Sequence, residues 1–201
     1  MLPLKKTALA LGCVVALAAC GHMPVTSLVA LRNFDAATFD PAALRLAMQM
    51  PDAIAPRRHG VKLEVTLWSD VDAAHRTRRS FVLEETIESD VQAALAPFAR
   101  AGRIIHAYRV APRDIAVIRA LQAQGIEMGR QHPGQNHLSF GAGMEACRQG
   151  DMPTDSIPTT TLLSVTPQAG FVELLRDLDL KEEARKAGKD VDHELPPCTG
   201  S

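Results

Sequence analysis

The chain has 201 residues, 46 % of them hydrophobic, with 22 basic against 23 acidic side chains for a net charge of −1. That length allows one domain with a substantial core, and the near-neutral balance removes the electrostatic case for nucleic acid as a partner. Aromatic residues make up only 4 %, too few to suggest the flat platforms on which sugars stack.

In chain order, the first feature is Lys5-Lys6 followed by an apolar stretch from Ala8 to Ala16. Basic residues ahead of a short apolar segment form an export signal, and the segment is too short for a comfortable permanent span. Its end, Leu17-Ala18-Ala19-Cys20, resembles the lipobox of bacterial lipoproteins. The resemblance implies cleavage before Cys20, a diacylglyceryl group on that cysteine, and a protein lipid-anchored facing the periplasm. Gly21 follows the cysteine where an aspartate would resemble the inner-membrane retention signal, so the outer membrane is favoured over the inner. Residues 1–19 are then a cleaved signal peptide and 20–27 a tether that reaches at most ~25 Å. Residues 28–189 form a single domain, and 190–201 a mobile C-terminal tail.

Leu28 to Phe34 reads as a strand. Leu44, Leu46, Met48 and Met50 alternate with polar or small residues, and after Pro51, Pro56 and Gly60 the alternation resumes as Val61, Leu63, Val65 and Leu67. Period two on both arms predicts a β-hairpin around a loop. A third strand is expected over about 80–86, and Ser89 is placed to cap a short helix through Asp90 to Leu95. Arg103 to Val110 is again extended. Pro112, Asp114 and the spacing of Ile115, Ile118 and Leu121 predict the principal helix, ended by Gly125. His137 to Cys147 is extended, and Thr159–Thr166 with Phe171–Leu180 forms a hairpin or a strand followed by a helix. Lys181 to Lys189 is helix-prone. The fold class is α+β, mainly an antiparallel sheet, meander- or sandwich-like, with one principal α-helix.

Cys13 leaves with the signal and Cys20 takes the lipid, which leaves Cys147 and Cys198. Bridged, they would close a loop of about fifty residues and contribute ~4 kcal/mol by loop entropy; unbridged, Cys147 is a small buried residue and Cys198 an exposed one. His132 and His137 have a loose zinc-ligand spacing but no paired motif. Gly141-Ala142-Gly143-Met144-Glu145-Ala146 has the outline of a dinucleotide fingerprint without the βαβ frame that would give it meaning, so no cofactor is expected. Glu84 with Glu88, or Asp70 with Asp72, could share a strand face, but a soluble strand edge with solvating charge is the preferred reading. No Gly-x-Ser-x-Gly elbow is present. In a meander, the loop bearing Arg57, Arg58 and His59 returns to the tethered end, where each arginine would add about 1 kcal/mol against anionic headgroups. The second basic group, from His75 to Arg79, would face away.

These features predict a membrane-anchored, non-enzymatic binding or accessory protein of the cell envelope. Its partners would be the membrane, through the lipid, and an envelope protein. The alternatives are an envelope hydrolase, metal-dependent around His132 and His137 or carboxylate-based, and a small lipid or ligand carrier with an apolar cavity.

Overall fold

The computed structural model describes residue 24 and residues 34–71, 76–166, 170–191 and 195–198. Cys20, the tether apart from residue 24, and residues 28–33 of the strand expected over 28–34 lie outside the described residues.

Among the described residues, eight strands and three α-helices form an α+β domain with two antiparallel sheets. The elements are β1 (Arg45–Pro51), β2 (Ile54–Ser69), β3 (Thr77–Val82), β4 (Glu84–Glu85), α1 (Ser89–Leu95), β5 (Arg103–Arg109), α2 (Pro112–Gln131), β6 (Asn136–Arg148), β7 (Pro158–Ser164), β8 (Val172–Asp179) and α3 (Leu180–Lys186). The larger sheet has the order β4-β5-β1-β7-β8 and the smaller β3-β2-β6. Leu46, Met48 and Met50 from the larger sheet meet Val61, Leu63, Val65 and Leu67 from the smaller one in a shared core, closed by Ile118 and Leu121 of α2. The other face of the larger sheet is covered as well: Ala47, Ala107 and Leu162 pack beneath Val91 and Leu95 of α1.

That double burial corrects the reading of β1 and β2 as a hairpin. β1 pairs with β5 and β7, whereas β2 pairs with β3 and β6, so the turn at Asp52-Ala53 passes the chain from one sheet to the other and the described strands do not form the expected meander. Alternation shows that a strand has an apolar face but does not choose the strand beside it. The residues taken as a loop belong largely to β2. Ile54 and Ala55 are buried, and the prolines are accommodated because Pro51 ends its strand and Pro56 sits at a register shift before Val61. Gln49, on the polar side of the alternation, is also buried, with its Nε2 donating to the Phe98 carbonyl at 2.5 Å.

Helix α2 runs past Gly125 to Gln131. A Cβ at Gly125 would come within 3.1 Å of Leu67 and 3.3 Å of Leu138, so this glycine permits close approach of helix and sheet rather than ending the helix. The hairpin of β7 and β8 is present, followed by α3. Ser89 begins α1, but Glu88 occupies the capping position and no side chain caps the helix.

The C-terminal residues 196–198, expected in a mobile tail, lie along the end of β6. The Arg148 amide donates to the Pro196 carbonyl and the Cys198 amide to the Arg148 carbonyl, both at 2.9 Å. A Cys147–Cys198 disulfide, with Cα atoms 4.9 Å apart, holds them there.

Candidate functional site

Among the described residues the two sheets expose four edges, and three of them carry features that discourage further strand pairing. β4 is only two residues long. β3 places Arg78 and Arg79 on its strand, and β8 carries Glu173, Arg176, Asp177 and Asp179 along a ladder with two register shifts. Shortness, charge and bulges are the usual ways proteins blunt an edge.

β6 has none of these over its middle. From Leu138 to Met144 the sequence is Leu-Ser-Phe-Gly-Ala-Gly-Met, without charge or proline, within a strand of thirteen residues. The direction of its backbone groups follows from its neighbours. The Val61 carbonyl accepts from the Leu83 amide, so Val61 turns its backbone toward β3, and its partner Met144 turns its own away from β2. Alternation extends this to Leu138, Phe140, Ala142 and Ala146, and the tail bonds made by Arg148 have the same phase. Among the described residues, the tail at Arg148 alone pairs with this outer edge.

The side chains sort by the same alternation. Leu138, Phe140, Met144 and Ala146 pack against the core while remaining partly exposed. On the opposite face, a Cβ at Gly141 or Gly143 would meet nothing within 4 Å, which leaves a shallow strip beside Lys62 and Glu64 of β2.

A polar cluster flanks each end of this strip. At one, His137 stacks on Trp68 with ring centroids 4.9 Å apart, and Arg76 lies over the same indole at 5.4 Å. The His137 Nε2 is 2.8 Å from Asp70 Oδ2. At the other, Lys62 Nζ donates to Glu145 at 2.6 Å and Arg57 approaches the same carboxylate at 3.8 Å. The Lys62 hydrogen bond holds the Glu145 carboxyl below its usual range, with the Lys62 and Arg57 charges acting in the same direction.

His132 and His137 therefore have separate roles. His132 ends α2, donating its amide to Met128 and accepting from Asn136 Nδ2 through its carbonyl, while His137 is engaged with Asp70 and Trp68. Among the described residues no three His, Cys, Asp or Glu side chains gather where a metal ion could sit. The hydroxyl of Ser69, beside Trp68, is directed at the Gln135 carbonyl, not at the His137–Asp70 pair.

Arg57, Arg58 and His59 do not form a hairpin loop. They occupy the exposed bulge of β2, with His59 at φ 59°, and the geometric reason for placing them at a tethered end goes with the meander. The carboxylates of Glu84 and Glu88 are tied up in ion pairs with arginines, and that of Glu85 lies beside the His106 ring. Glu88 meets Arg45 at 3.2 Å and Arg109 at 2.8 Å, Glu84 meets Arg113 at 3.2 Å, and Glu85 meets His106 at 3.2 Å. Burial, with the Glu85 charge nearby, pushes the Tyr108 hydroxyl pKa far above its usual value.

A second network was not legible in the sequence, because its members are spread from Arg100 to Asp177. Arg100 and Arg103 hold Asp177 at 2.8 and 2.5 Å, and Arg100 reaches the buried Glu173 at 3.4 Å. Surface clefts of about 330 and 220 Å³ lie beside Arg148 and Arg45; they are open and lined in part by charged groups. No family model matches the chain, and no curated protein or solved structure is significantly similar to it.

Proposed function

We propose that this is a lipid-anchored protein of the bacterial cell envelope, facing the periplasm, that acts by binding rather than by catalysis. Its contact surface is the outer edge of β6. The lipobox-like Leu17-Ala18-Ala19-Cys20 supports the anchor. One observation carries the binding role: a long edge whose outward backbone groups are free of charge and proline, in a fold whose other edges are blunted. Main-chain hydrogen bonds along such an edge give affinity to an added strand, and the side chains beside it give selectivity.

The test uses the full chain in its own membranes. Cys20→Ser is expected to move the protein from the membrane to the soluble fraction. A photoreactive phenylalanine analogue in place of Gly141 is expected to give discrete protein adducts on illumination. The same analogue in place of Gln92, exposed on α1, is expected to give none. Unchanged fractionation would overturn the anchor, and absence of any adduct at position 141 would overturn the edge.

A further inference from the structure

We infer that the occupant of the β6 edge is a second copy of this chain, paired antiparallel to the first across a two-fold axis at Ala142. This rests on the β6 edge being a binding surface and adds the partner. The bounds of the edge are the first reason. Past Asn136, whose side chain is bonded to Met128 and His132, its outward-facing amides run from Leu138 to Ala146, beyond which the tail occupies Arg148. The free stretch is centred on Ala142, as an interface between two identical strands requires.

The second reason is that both faces match under that rotation. On the face toward the core, Phe140 falls opposite the Met144 of the other copy and Leu138 opposite its Ala146. All four side chains are partly exposed in the single chain and would gain cover. On the other face Gly141 falls opposite Gly143, so two open positions meet and nothing clashes. Glu145 falls opposite Ser139 and diagonal to His137, which lies within reach of a cross-strand pair. No like charges oppose one another along the nine residues. A shift of the centre by one residue toward the tail would set Leu138 opposite Arg148, where the edge is already paired with Pro197.

The third reason is the tail itself. It already adds a short parallel strand contact at Arg148, fixed by the Cys147–Cys198 disulfide. A chain adding to this edge is therefore stopped at a defined point, which sets the register of the pair. The result would be a continuous six-stranded sheet of order β3-β2-β6-β6-β2-β3.

The register makes the test specific. Hydrogen-bonded partners in an antiparallel pair have Cα atoms about 5.5 Å apart, within the span of roughly 4.4–6.8 Å that a disulfide bridges. In membranes carrying the full chain, Ala142→Cys is expected to give a dimer on mild oxidation that reduction reverses. Ser139→Cys, far from its own symmetry mate, is expected to stay monomeric. A measurement without substitutions accompanies it: hydrogen exchange of the purified full chain in detergent. The amides of Phe140, Ala142 and Met144 are expected to be protected as well as those of Gly141 and Gly143, and to lose protection on dilution. A monomeric Ala142→Cys together with rapid exchange at 140, 142 and 144 would overturn the second copy. If the Gly141 photoadduct then contains a different protein, the binding edge stands and only its occupant is wrong; if there is no adduct, both fall.

Discussion

Gly60 is buried where β2 bulges against β6, and a Cβ there would stand 2.8 Å from the Glu145 carbonyl and 2.9 Å from that of Arg57. Neither obstacle is a side chain that can rotate away. Gly60→Ala is therefore expected to destabilise the protein by about 1–3 kcal/mol through backbone displacement, measured by denaturant unfolding. Asp177 is a residue of another kind. Its φ is 50°, a conformation that asparagine also tolerates. Burial alone would raise its carboxyl pKa, but the hydrogen bonds from Arg103 and Arg100 outweigh it and hold the group below its ordinary value of 3.8. A carboxyl depressed on folding stabilises the native state above its unfolded pKa, and that contribution is lost as pH falls through the folded value. Asp177→Asn should therefore be less stable than wild type near neutrality and converge with it in acid below pH 3.8. Thermal unfolding across that range checks the sign, and a gap that widens in acid would contradict it.

Among the elements, the end of β6 shows how much a distant covalent link decides. The disulfide spans a sequence separation of 51 residues, and closing a loop of that size removes about 4 kcal/mol worth of unfolded-chain entropy. Cys198→Ser is expected to lower stability by up to about that amount and to release residues 196–198 from Arg148. Exchange of the Arg148 amide should then speed up while that of Val61 does not. The two cysteines were legible in the sequence as a candidate pair, but their bridging was not, because it depends on β6 and the tail approaching side by side. Helix α2 was legible from Pro112 and the spacing of Ile115, Ile118 and Leu121. Its continuation past Gly125 was not, since that glycine answers to Leu67 and Leu138 and not to the helix's own sequence. In the same way, the hairpin of β7 and β8 could be read from the Pro and Gly between its arms, whereas the partners of β1 lie 50 residues and more away.

At the scale of the whole molecule, the larger sheet is buried on both faces, one against the smaller sheet and α2, the other against α1. Leu162 lies on the second face and is fully buried. Leu162→Ala should therefore cost about 2–5 kcal/mol, the range expected for a core leucine, and comparably to Met50→Ala in the main core. A loss under 1 kcal/mol by equilibrium unfolding would mean that α1 is a loosely held cover.

The sequence by itself determined the described strands of period two, the principal helix, the α+β class and Cys147 with Cys198 as a candidate pair, because each rests on local periodicity or on counting. Its scattered His, Asp and Glu indicated no site, and for several of them the structure explains why: Glu84 and Glu88 pair with arginines, Glu145 with Lys62, and His137 with Asp70 and Trp68, through contacts between distant segments. Only the tertiary structure decided that β1 and β2 belong to different sheets, that Arg57 and Arg58 sit on a bulge, and that, among the described residues, one edge of four is left unguarded. Sheet order is a matter of which strands lie side by side, and the energy that selects it comes from burying whole faces together. No stretch of the chain read alone contains that information.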